Sequence, residues 1–282
     1  MNGYLKIVIA TSLFSLMSPL VKLLELDSLS ILWAITVIAF LSLGILFAFQ
    51  GKLKEALTAR EKWQMLLLLG VFTTINNILF LYAVKTTTIA NAVLTHFLAP
   101  VFVVLLADIT LKEGITRKDL LALALSFSGL AILIASNEMS LSNIHIVGLL
   151  AGTASAVFFA GEILSKKFLT KHHASGFVVF RYLLIPVVVL APFTSFGGMK
   201  ELSLLGMASL LIIGIVVIAF GNTLFQSGLR DVKAKKASII NYIEPLGAIL
   251  WGILFFKEAL TWETIIGGFL ILFGTYLVIK KQ

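Results

Sequence analysis

Phe97-Leu98-Ala99-Pro100, with Lys112-Glu113 after it, returns 145 residues later as Tyr242-Ile243-Glu244-Pro245, with Lys257-Glu258 after it. The same offset, without a gap, carries Asn77, Leu79 and Phe80 onto Asn222, Leu224 and Phe225. It also carries Thr116 onto Thr261, Gly129 onto Gly274, Gly3 onto Gly148, Lys22 onto Lys167 and Ser30 onto Ser175. Apolar residues match by composition alone, but Pro, Lys-Glu and Asn in fixed register do not. The chain therefore reads as two halves, residues 1–140 and 141–282.

Each half is too apolar for water. The 282 residues are 59% hydrophobic and 13% charged, with a mean hydropathy of +1.05. A soluble domain is about 45–50% apolar and about 25% charged. A bilayer core takes about 20 apolar residues per helix. That ruler predicts ten spans: Leu5–Leu24, Ser30–Phe49, Trp63–Val84, Ile89–Leu111, Leu120–Ser136, Ile146–Ser165, Gly176–Phe196, Gly206–Gly228, Ala237–Phe256 and Trp262–Ile279. The apolar run that starts near Lys6 is longer than a signal-peptide core and is expected to stay as the first span. There is no cysteine, which excludes disulfides and thiolate chemistry.

Charge sets the expected orientation. Of the 22 Lys and Arg, seventeen fall on the side of both termini: Lys6, Lys52, Lys54, Arg60, Lys62, Lys112, Arg117, Lys118, Lys166, Lys167, Lys171, Arg230, Lys233, Lys235, Lys236, Lys280 and Lys281. The other side holds Lys22, Lys85, Lys200 and Lys257, and Arg181 lies inside a span. The bias predicts cytoplasmic termini in an inner membrane. It also explains the net charge of +8 without nucleic acid, since no basic helix or patch gathers these residues. Five spans per half is an odd number, so the halves run antiparallel. Loop 50–62 holds four basic residues where 195–207 has Lys200 alone, and loop 85–88 has Lys85 where 230–236 has four. The expected fold is all-α, with ten transmembrane helices as two inverted five-helix repeats. Such repeats commonly enclose a midplane site and rock around it.

The duplicated Pro…Lys-Glu signature, with Gly267 to Gly274 in the last span, resembles the EamA-type drug/metabolite transporter superfamily along essentially the whole chain. The resemblance implies a 5+5 inverted-repeat fold and export or exchange of small metabolites, often amino acids. It departs from the common pattern in one place: Thr36 stands in the second span where Arg181 stands in the repeat.

Ionisable residues inside spans are costly, about 2.5–3.5 kcal/mol on insertion scales, and so mark candidate sites. Glu162 and Arg181 both lie roughly 5–8 Å inside the cytoplasmic boundary. Their counterparts Met17 and Thr36 both lack charge, which points to a partnership. Two roles are open to them. They could join helices six and seven as an ion pair, with Glu162–Lys166 as a second structural pairing. They could instead grip an amphoteric substrate, Arg181 on a carboxylate and Glu162 on an ammonium. Glu244 precedes Pro245, which is expected to free a carbonyl near Asn241, and could bind a proton or a cationic group. The counterparts Asn77 and Asn222, and His96 and Asn241, imply a hydrated central cavity that Asn76, Thr95, Gln226 and Tyr242 could extend. Gly148, Gly152, Ala156 and Ala160 make a small-residue packing seam. The two Lys-Glu pairs are expected to fix interfacial hairpins, Asp108 to anchor a helix end, and His172-His173 to be solvated.

The expected function is a secondary transporter that exports or exchanges small metabolites such as amino acids by alternating access. A lipid flippase, or a membrane subunit of a lipid-modifying complex, is the alternative. An enzyme is not expected, because no metal cluster, nucleophile motif or nucleotide loop is present. Neither cofactor nor metal is expected. The expected partners are a small-molecule substrate, the lipid bilayer and protons as coupling ion, with a homodimer as the candidate assembly.

Overall fold

Apolar helices satisfy their own backbone and so can enter lipid, and the chain is built from them. The computed structural model describes residues 1–58, 62–135, 143–198, 202–257 and 260–280. Ser136, which ends the fifth expected span, and Arg60, Lys200, Glu258, Ala259 and Lys281 lie outside the described residues. In the first half, α1 (Gly3–Phe14) and α2 (Met17–Val21) share one span, broken at Ser15-Leu16. Next come α3 (Ser28–Phe49), the short α4 (Leu53–Thr58) and α5 (Trp63–Thr86). A broken pair, α6 (Ile89–His96) and α7 (Ala99–Leu111), and then α8 (Arg117–Ala135) complete it.

The second half opens with α9 (Asn143–Leu169) and α10 (Ser175–Leu190). One span then contains α11 (Leu204–Ile212), a π-helical stretch Ile213–Gly221 and α12 (Asn222–Gly228). Another broken pair, α13 (Ala234–Ile240) and α14 (Ile243–Phe256), precedes α15 (Trp262–Ile279). Among the described residues, nine segments are long and apolar enough to cross a membrane. The remaining expected span corresponds to α8, a 19-residue helix with Arg117, Lys118 and Asp119 in its first turn. Large apolar side chains such as Phe49, Ile109 and Leu254 face outward, as a lipid-facing surface requires.

Three expected helices are therefore not continuous. Pro100 lacks the N–H that would bond His96, and Pro245 stands in the same place in α14. Lipid offers no hydrogen bonds, so the freed backbone must find protein partners. The Tyr242 hydroxyl donates to the Phe97 carbonyl at 2.9 Å, and the two rings lie 6.0 Å apart. The carbonyl of Asn241, expected to be free, instead accepts the Glu244 N–H at 2.9 Å in a tightened turn. Ser15, at the first break, accepts the Trp251 indole N–H at 2.9 Å and donates to the Ser12 carbonyl at 2.7 Å.

Close contacts recur under the 145-residue shift. A Cβ on Gly129 would stand 2.6 Å from the Gly267 carbonyl, and one on Gly274 would stand 2.8 Å from that of Ala122. Shifting the first contact by 145 gives the second. Likewise Gly3 packs on Asp231 and Val232, as Gly148 packs on Thr86 and Thr87. Lys112 and Lys257 both end their helices in the left-handed region, with φ of 54° and 56°. Phe97 and Tyr242, themselves 145 apart, touch each other.

Exposed polar positions allow a topology test in this cysteine-free chain. Cysteines at Thr58 and Asp231 should react with an impermeant maleimide only from the cytoplasm, and one at Ser203 only from outside. Labelling of all three from one side would contradict the antiparallel arrangement.

Candidate functional site

A cavity of about 200 Å³ lies between the halves and draws its walls from both. Six pairs of residues 145 apart line it together: Phe14 and Phe159, Met17 and Glu162, Thr73 and Ile218, Asn77 and Asn222, Phe80 and Phe225, His96 and Asn241. The charges are not shared in this way. Glu162, Lys166 and Glu244 line the cavity from the second half, opposite Met17, Val21 and Ala99 in the first.

Lys166 stands one helical turn beyond Glu162 on the same face of α9. Its ammonium bonds the Glu162 carboxylate at 2.6 Å and the Asn222 side-chain oxygen at 2.8 Å. It also lies 5.2 Å from the Tyr182 ring centre and 5.9 Å from that of Phe225. The two side chains of the pair are 4% and 7% exposed, so water does little to screen them. The Asn222 amide donates to the Ile218 carbonyl at 3.0 Å, which fixes its oxygen towards the lysine.

His96 lines the same cavity and packs against α9. The Ser155 hydroxyl gives its one proton to the Gly152 carbonyl at 2.7 Å, so His96 Nδ1, 2.9 Å away, must be the donor to Ser155. The neutral imidazole then keeps its Nε2 lone pair. Its ring stacks on Phe159 at 5.1 Å and leans on Phe80 at 4.4 Å. Asn241, its counterpart, also meets a hydroxyl but as acceptor: Thr11 donates to the Asn241 side-chain oxygen at 3.1 Å. Asn76 Oδ1 and Thr73 Oγ1 are buried without a hydrogen-bond partner, both on residues that line the cavity. The Glu244 carboxylate likewise takes no hydrogen bond or ion pair among the described residues. A buried acceptor without a partner costs about 1–3 kcal/mol unless water or a ligand meets it. The cavity is therefore built to hold something polar, between aromatic walls.

The EamA-like transporter family model matches this chain twice, over residues 1–135 and 146–280. The chain belongs to that family. It is 32% identical to an uncharacterized transporter of Archaeoglobus fulgidus over 217 residues, covering 77% of this chain and 76% of the relative. Identity to the pseudopaline exporter CntI of Pseudomonas aeruginosa strain PA14 is 29% over 273 residues, covering 96% and 93%. One solved crystal structure superposes with a TM-score of 0.84 at 17% identity, covering 98% of this chain and 96% of that one, a likeness of fold. As an EamA-like protein the chain is a multi-pass membrane transport protein for small molecules and not an enzyme.

Of the site residues expected from sequence, Glu162, Glu244, Asn77, His96, Asn222 and Asn241 line this EamA cavity. Arg181, Gln226 and Tyr242 do not. The expected Glu162–Arg181 partnership is corrected: Glu162 pairs with Lys166 instead. The Arg181 guanidinium donates to the backbone carbonyls of Ala56 and Glu55, the latter at 2.9 Å. Both carbonyls belong to α4. Arg181 thus ties a surface helix to α10. Gln226 donates to the Lys166 carbonyl at 2.8 Å, and Tyr242 serves the helix break.

Sequence reading missed Lys166 as a cavity residue because the charge bias counted it with the cytoplasmic loops. It also missed Tyr182, a fully buried aromatic one residue from Arg181. The i, i+4 spacing of Glu162 and Lys166 had offered their pairing, but only as a structural one.

Removing one member of this pair strands a buried charge and should cost about 3–5 kcal/mol of stability. Lys166→Met should therefore unfold at a clearly lower temperature in detergent, and Lys166→Met with Glu162→Gln should regain most of the loss. Equal melting of the single variant and the native chain would show the pair to be well hydrated.

Proposed function

We propose that the chain is a secondary transporter of an inner membrane, with ten spans in two inverted five-helix repeats, residues 1–140 and 141–282. Both termini lie in the cytoplasm, and the protein exports or exchanges small metabolites, amino acids among them, by alternating access. The observation that carries this reading is the cavity itself: six pairs of counterparts from the two halves face each other across it. A passage that opens to one side through one half, and to the other through its inverted twin, needs a shared site of this kind. The double family match and the contacts that exchange under the 145-residue shift support the repeat. The exporter similar to this chain along 96% of its length supports the direction.

Charge bears on the cargo. With Glu162 and Lys166 neutralising each other, Glu244 leaves the cavity with one uncompensated carboxylate. A proton or a protonated amine is its natural partner. Lys166 takes the role first given to Arg181, as the cation that a substrate carboxylate could meet.

Two measurements test the reading. Proteoliposomes loaded with a labelled amino-acid mixture should release at least one component saturably, and protein-independent release alone would end the proposal. In that system Glu244→Gln should abolish transport driven by a pH gradient and leave counterflow exchange intact. Unchanged pH-driven transport in the variant would remove Glu244 from coupling.

A further inference from the structure

The two ends of the cavity differ in a buried ion pair that stands behind the cap of one short helix; Glu258, the counterpart of the capping Glu113, lies outside the described residues. The N-terminus of α6 is capped from within: the Thr88 hydroxyl accepts the Asn91 N–H at 3.2 Å. Its counterpart α13 begins after Lys233, whose side chain gives no cap. The cap comes from another helix pair. Glu113, in the α7–α8 turn, accepts the N–H groups of Ala234 at 2.7 Å and Lys235 at 3.2 Å on its two carboxylate oxygens. Its own carbonyl accepts the Lys233 ammonium at 2.7 Å.

Behind this cap, the Lys235 ammonium bonds the Asp119 carboxylate and the Gly114 carbonyl, and Lys235 is 1% exposed. Asp119 also accepts the Thr116 N–H and hydroxyl at 3.0 Å and 2.6 Å. The other half has Thr264 and Ala90 at the positions of Asp119 and Lys235, so the ion pair has no counterpart there. The segment leading into α13 is tied as well. Lys167 donates to the carbonyls of Leu229 at 2.6 Å and Val232 at 2.9 Å, and Arg230 to that of His173 at 2.8 Å.

α13 packs against α7, α8 and α9, and α10 against α12. α6 packs closely on α9 in turn, so helix contacts close both ends. What sets apart the end assigned to the cytoplasm by the charge bias is the buried Asp119–Lys235 pair.

We propose that Glu113 on the N-terminus of α13, backed by the Asp119–Lys235 pair, is a latch that holds the cytoplasmic end of the cavity shut. The opposite end closes without that ion pair, so the chain rests closed to the cytoplasm. Loading from the cytoplasm must release the latch first, exposing the amides of Ala234 and Lys235 and parting two buried charges. This inference rests on the inverted-repeat transporter reading above.

Ile163, an apolar cavity residue on α9, serves as the reporter. In the chain carrying Ile163→Cys, an impermeant thiol reagent should react from the outside and hardly at all from the cytoplasmic side of inside-out vesicles. Adding Glu113→Gln, or Asp119→Asn with Lys235→Met, should raise the cytoplasmic rate at least about tenfold, the effect of losing a helix cap on a two-state balance. Exchanging the charges, Asp119→Lys with Lys235→Asp, should restore protection, which general unfolding would not allow. A cytoplasmic rate unchanged by both latch variants, in a chain whose reporter still reacts from outside, overturns the latch and leaves the transporter reading standing. Equal reaction from both sides in the otherwise native chain overturns both, because the cavity would then be an open passage.

Discussion

Hydrocarbon offers no hydrogen bonds, and the structure is organised around that constraint. An unbroken apolar helix meets it alone, whereas a broken one needs donors and acceptors from its neighbours. The three breaks, at Ser15-Leu16, Phe97-Leu98 and Asn241-Tyr242, all lie where another helix can answer. Tyr242 supplies the carbonyl of Phe97, and Trp251 reaches Ser15 where Gly247 lets α14 come close. Because the breaks need protein on every side, they gather at the centre. The polar ends they expose, His96 and Asn241, then become walls of a cavity. The site follows from the way the fold accommodates two prolines.

Duplication gives this centre its symmetry, and divergence gives it a direction. Phe80 and Phe225, or Asn77 and Asn222, would serve equally well from either half. The charges would not: in both the cavity and the cytoplasmic cap, the second half or its contacts hold ion pairs where the first has Met17, Val21 and Ala90. Charged groups are expensive in a low-dielectric interior, so a fold that could do without them, as the first half does, retains them for something other than folding. On the latch proposed above, unequal ends give the protein a preferred resting state that identical ends would not.

The helical membrane class and the family were legible because their signals are one-dimensional. Span length and the duplicated motifs survive in the order of the residues alone. Distance along a helix can be read from sequence as well, at 1.5 Å per residue. What it could not give was azimuth. Arg181 and Glu162 were expected at similar heights, but Arg181 faces α4 while its neighbour Tyr182, about 100° round the helix, faces the cavity. Gln226 beside Phe225, and Tyr242 beside Asn241, were misplaced for the same reason. In a soluble helix the apolar stripe gives the inward face away. Here the lipid face is apolar as well, and that clue is lost. The charge bias misled once, over Lys166, because it assigns a basic residue near a helix end to the loop beyond it.

Close approach of the backbone decides which helices can move. At Gly129 and Gly274, α8 and α15 come so near that one added carbon would strike a facing carbonyl. Such a contact resists sliding, because every shift along the axis drives a side chain into backbone. The α8–α15 pair is therefore the fixed frame of the molecule. α13 meets this frame through the Glu113 and Asp119 carboxylates and also through a shared core, in which Ala237, Ile239 and Ile240 are buried with Leu130 and Ile271. On the alternating-access proposal, glycine contacts hold the frame while the polar contacts of the short helices are the ones to part first. The bond between Glu113 and α13 is where the two kinds of contact meet.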